Sequence, residues 1–71
     1  MSKYLANITI NKSQRKITIG IYERIQKNND FDDKLVNTVQ YQCKTNKKFK
    51  EKLEDVKLEY INYDQQIHHE N

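Results

Sequence analysis

Residues 46–68, NKKFKEKLEDVKLEYINYDQQIH, place six apolar side chains at the spacing of a helical seam: Phe49, Leu53, Val56, Tyr60, Tyr63 and Ile67. Steps of four, three, four, three and four residues define a heptad stripe, and they predict one amphipathic helix over 46–68. Thr45 or Asn46 is suited to cap its start. The helix is charged against its own dipole, with Lys47, Lys48, Lys50 and Lys52 in its first turns and Asp64 and Glu70 towards its end. That ordering costs helix stability, so the lysines are better explained by what they bind than by the helix.

Working back from the helix, residues 34–44 read as a third strand. Leu35, Val39, Tyr41 and Cys43 share one face with Asn37 as a misfit, while Gln40 and Gln42 point the other way. A helical reading aligns Phe31, Leu35, Val39 and Cys43, but the crowding of Val36, Thr38, Val39 and Tyr41 favours the strand. Residues 26–33, Gln-Lys-Asn-Asn-Asp-Phe-Asp-Asp, form an acidic loop. Residues 3–25 form a hairpin. Tyr4, Ala6, Ile8 and Ile10 share a face, as do Ile17, Ile19 and Ile21, and Asn11-Lys12-Ser13-Gln14 supplies the turn. Leu5 breaks the first alternation, and Gly20 marks a bulge, a close approach by another backbone or a tolerated strand glycine. The expected fold is α+β, a three-stranded antiparallel meander packed against one C-terminal amphipathic helix, all in a single domain over 1–71.

At 71 residues the chain holds one small core. Cys43 is the only cysteine, which rules out an intrachain disulfide and fits a reducing compartment such as the cytosol. No apolar run reaches membrane-spanning length, and Met-Ser-Lys-Tyr-Leu lacks a signal-peptide core, so a soluble protein of the cytoplasm is expected, with no membrane partner. Abundant Lys, Asn and Ile, with no Pro or Trp, point to an AT-rich genome.

Catalytic chemistry is missing. His68 and His69 are adjacent, lack the i, i+4 spacing of a metal pair, and belong to a solvated terminus. Cys43 has no histidine near it in sequence and reads as a small apolar side chain. Asn28, Asp30 and Asp32 alternate as a calcium loop begins, but Asp33 stands where such a loop turns on Gly and Val39 where it needs a bidentate Glu. The expectation is a non-enzymatic protein with no catalytic residue, no metal and no cofactor.

What remains is binding. The net charge of +3 is unevenly spread, with Lys12, Arg15 and Lys16 around the hairpin tip and Lys44, Lys47, Lys48, Lys50 and Lys52 around the helix start. Tyr22 and Arg24 lie on the outward sheet face, and Tyr60 and Tyr63 offer interface anchors. These twelve positions are the candidate binding residues. The helix seam also admits an antiparallel homodimer that brings Lys50 near Asp64 and Lys52 near Glu59, although covering the chain's own sheet is the simpler use of the stripe. In size, lysine and asparagine content and lack of catalytic groups, the chain resembles the small proteins with which bacteriophages and plasmids of low-GC bacteria block host machinery, anti-CRISPR inhibitors among them. That resemblance implies a stoichiometric inhibitor or adaptor in the bacterial host cytoplasm, acting by protein-protein contact on a host protein or nucleoprotein complex. The alternative is a small basic nucleic-acid-binding regulator with its lysines on phosphates.

Overall fold

The alternating runs at the start of the chain form the expected strands. The computed structural model describes residues 3–70, apart from the side chain of Phe31. Strand β1 (Tyr4–Asn11) pairs antiparallel with β2 (Lys16–Lys27), setting Ala6, Ile8 and Ile10 opposite Ile21, Ile19 and Ile17. All six are buried and form the centre of the core. The β1–β2 turn is held by Asn11, whose Oδ1 accepts from Ser13 Oγ at 2.9 Å and Gln14 N at 3.0 Å. Such side-chain closure of a turn is what Asn supplies best.

The segment read as an acidic loop is mostly strand. β3 (Asp30–Gln42) pairs antiparallel with β2 from Lys27↔Asp30 to Lys16↔Gln42. Only Asn28 and Asn29 lie between the strands, and Asn28 takes φ 53°. Asn tolerates the left-handed region that tight hairpin turns demand, which is why polar residues here close a hairpin rather than open a loop.

Pairing steps from Ile21↔Asn37 to Tyr22↔Leu35, leaving Val36 as an extra residue on β3. This bulge reverses the facing of everything before it. Leu35 therefore moves off the core face, in register with Tyr22, and is exposed. Val39, Tyr41 and Cys43 still pack against the core.

The helix is shorter than the heptad stripe predicts. α1 spans Asn46–Glu59, and the fourth strand, β4 (Asp64–Glu70), pairs parallel with β1 from Leu5↔Asp64 to Asn11↔Glu70. The fold is thus α+β with a mixed four-stranded sheet, β3-β2-β1-β4, in place of the expected three-stranded antiparallel meander. Tyr63 and Ile67 fit the heptad spacing by coincidence, because Gln65, Ile67 and His69 also fit a period of two. No Gly or Pro stops the helix. Backbone bonds Ile61 N to Leu58 O and Tyr63 N to Tyr60 O tighten its last turn. Gln65 Nε2 then donates to the Lys57 carbonyl at 3.2 Å, in the last turn where helix carbonyls run out of intrahelical donors, and adds a second bond at 2.8 Å to the Tyr60 carbonyl. Gln65→Ala is expected to cost about 1 kcal/mol, a typical net hydrogen-bond contribution. A urea melt would read this as a lower midpoint with an unchanged slope.

Thr45 caps the helix by accepting from Lys48 N at 3.2 Å. Phe49, Val56 and Tyr60 are buried against the sheet and Leu53 packs beside them, so the apolar stripe covers its own sheet. The charge pairing drawn for an antiparallel helix-seam homodimer takes residues 46–68 as one helix, whereas α1 ends at Glu59. Asp64, which that pairing sets opposite Lys50, lies on β4 beyond the helix end.

β3 runs parallel to both β1 and β4, so the chain must cross back over the sheet between β3 and β4, and α1 is that crossover. The consequence is positional. The start of α1, the β1–β2 turn and the ends of β3 and β4 all lie at one end of a molecule measuring 46 × 21 × 17 Å.

Candidate functional site

That end gathers the basic residues. The β1–β2 turn and the β3–α1 link are bonded together: Cys43 N donates to Arg15 O at 2.9 Å, Arg15 Nε to Cys43 O at 3.3 Å, and Gln42 Nε2 to Gln14 O at 2.6 Å. Arg15 itself takes φ 53° to close the turn. Lys12, Arg15 and Lys16 thereby meet Lys44, Lys47, Lys48 and Lys50, uniting two clusters that lie about thirty residues apart in sequence. Burial leaves Lys12, Lys44, Lys47, Lys48 and Lys50 exposed, with Arg15, Lys16 and Lys52 half-covered. Lysines at the second and third positions of a helix oppose its dipole, and no acidic residue stands in that first turn to offset them.

Two clefts flank the first turns of α1. One, of about 460 Å³, has an apolar floor of Ile10, Phe49 and Leu53 and a rim of Lys12, Asn46, Lys50 and His69. The other, of about 430 Å³, holds Lys44, Lys48 and Lys52 beside Glu51 and Asp55. There Lys52 Nζ stands 4.5 Å from the centroid of the Tyr41 ring, in a cation–π contact. The second cleft is therefore charge-compensated and the first is not.

The remaining candidates lie elsewhere. Tyr22 is on the open sheet face as expected, folded back along its strand: a Cβ at Gly20 would stand 3.1 Å from Tyr22 Cε2. The close approach at Gly20 is thus by a side chain rather than by another backbone, and the bulge lies on the neighbouring strand, opposite Ile21 and Tyr22, rather than at Gly20. Arg24 is committed to structure. Its Nη1 bonds Asp64 Oδ2 at 2.8 Å and its Nε lies 3.7 Å from Asp33 Oδ1, tying β2 to the beginning of β4 and to β3. Arg24→Ala is expected to cost about 1 kcal/mol, the scale of a partly exposed hydrogen-bonded pair. Amide exchange should rise first at Asp64 and Gln65. Tyr60 is buried, and Tyr63 packs on it edge-on at 5.1 Å and on Tyr4 at 5.7 Å between ring centroids. Burial, with the charge of Glu59 adding to it, pushes the Tyr60 hydroxyl above the ordinary tyrosine range, so the ring is a neutral packing group.

His69 is the site residue that the sequence reading missed. It falls on β4, in register with Ile10, and lines the first cleft, whereas His68 pairs with Thr9 and alternates to the opposite face. The Gln65-Ile67-His69 alternation is the signal for this, hidden under the heptad spacing. Among the described residues, no group of three or more His, Cys, Asp or Glu side chains could hold a metal ion. The Asn28–Asp33 segment is part of a hairpin rather than an ion-binding loop. Among the described residues no helix is long and apolar enough to cross a membrane. No protein-family model, curated protein or solved structure matches the chain.

Proposed function

We propose that the chain is a small non-enzymatic binding protein, of the inhibitor or adaptor kind that mobile elements direct at host machinery, and that its basic end docks on an acidic surface of a partner protein in the bacterial cytoplasm. One observation carries this reading: the two lysine clusters converge around an open cleft whose floor is apolar and whose rim holds no carboxylate. Protein interfaces combine an apolar anchor with charged surroundings in this way. The cost that the lysines impose on α1 supports a binding role for them over simple solvation. Asp30, Asp32 and Asp33 on the β2–β3 hairpin and Asp64 at the start of β4 lie at the opposite end, while Glu51 and Asp55 line the second cleft and Glu70 takes the other face of β4, so the carboxylates at the basic end lie outside the first cleft.

A second reading, binding to nucleic-acid phosphates, is favoured by the number of cations brought to one end. Fluorescence anisotropy with a labelled random-sequence duplex and a labelled single strand at physiological salt separates the two. The protein-binding reading expects only non-specific affinity, with Kd weaker than about 1 μM. Nanomolar binding with a steep salt slope would replace it with the second.

A further inference from the structure

We propose that the cleft between α1 and β4 is a receptor for an acidic peptide segment of the partner protein that presents one bulky apolar side chain between carboxylates; this rests on the protein-binding reading above. The cleft is built from three elements that meet only through the crossover. Ile10 comes from β1, Phe49 and Leu53 from one face of α1, and Lys12, Lys50 and His69 stand around them. Ile10 and Phe49 form a nearly closed floor at 4 % exposure each, while Leu53 is only half-buried and accessible to an incoming group. A volume of about 460 Å³ admits one large side chain with its adjoining backbone. Lys12 and Lys50 place positive charge on the rim, and the neighbouring Glu70 is in register with Asn11 on the other face of β4. An occupant that is apolar at its centre and anionic at its flanks satisfies both surfaces, and a purely anionic one leaves the floor unused.

The floor also argues against a nucleotide. Single-strand binders stack bases on a series of exposed aromatic platforms, whereas here the Phe49 ring is buried and the His69 imidazole is the one exposed ring of the lining.

The test is a heteronuclear NMR titration of the isotope-labelled full chain with three blocked pentapeptides: leucine between two pairs of aspartates, serine between the same pairs, and leucine between two pairs of asparagines. The expected result is saturable shifts at the amides of Lys12, Asn46, Lys50, Leu53 and His69 with the first peptide. Binding should be at least tenfold weaker with each of the other two, and at least tenfold weaker to K12E/K50E. Both lysines are exposed, so that variant should keep the parent spectrum elsewhere. Equal binding of the serine or asparagine peptide, no saturable shift, or an unchanged affinity of K12E/K50E would overturn the proposal. A partner protein held equally by the parent and K12E/K50E overturns the cleft alone and leaves the broader reading standing, whereas displacement of the peptide by an oligothymidylate at lower concentration overturns both.

Discussion

Reversing two lysines at the start of the helix, K47E/K48E, is expected to weaken partner binding about 100-fold while making the protein more stable. The two effects have opposite signs because they arise from different interactions. In the isolated chain, Lys47 and Lys48 occupy the first turn of α1, where the free N–H groups and the dipole favour acids. Thr45 is already the N-cap, and an acid at position 48 would complete a capping box with it. The combined gain is about 1 kcal/mol, which for a domain of this size raises the melting temperature by about 4–8 °C. In the complex, the same change sets like charges against an acidic partner surface, and such a juxtaposition costs several kcal/mol, or roughly 100-fold in affinity. Calorimetry on the free protein and on the complex checks both. A variant that loses stability and keeps its partner would mean that the lysines serve the fold.

The largest effect on stability is expected from Ile19→Ala. Ile19 has no exposed surface, sits on a central strand opposite Ile8 and Val39, and lies beneath the helix. Removing three carbons there costs about 2–5 kcal/mol, the range for Ile→Ala in a packed core. A single core below about 70–80 residues rarely supplies more than about 3–5 kcal/mol of stability. The variant should therefore be largely unfolded at 25 °C, with circular dichroism showing no cooperative melt. Ile25→Ala on the exposed part of the β2–β3 hairpin serves as the control and should stay within about 0.5 kcal/mol of the parent. A cooperative melt of Ile19→Ala within a few degrees of the parent would contradict the placement of the core.

The strands and their inward faces were legible because β1 alternates from Ala6 to Ile10 and β2 from Ile17 to Ile21, and a period of two leaves little freedom once one face is buried. The bulge was not. One extra residue changes the facing of Leu35 and leaves no composition behind it, only the misfit at Asn37. The end of the helix was hidden for a different reason. Tyr60, Tyr63 and Ile67 satisfy a seam, whereas Gln65, Ile67 and His69 satisfy a strand, and the choice is made by tertiary contacts. A free edge of β1 needed a partner, and the Gln65 side chain was available to close the helix. The candidate site was legible in its parts. Both lysine clusters could be read from the chain, but their union depends on a crossover that returns β4 parallel to β1. His69 joined them only because that fourth strand forms.

Affinity capture with the tagged chain tests the central claim most directly, using a nuclease-treated lysate of a low-GC bacterium at low and high salt, with K47E/K48E run beside the parent. A protein-binding role through the basic end requires one stoichiometric protein that survives nuclease and both salt concentrations on the parent and is lost from the variant. Loss of every partner on nuclease treatment, or the same protein held equally by parent and variant, would contradict it.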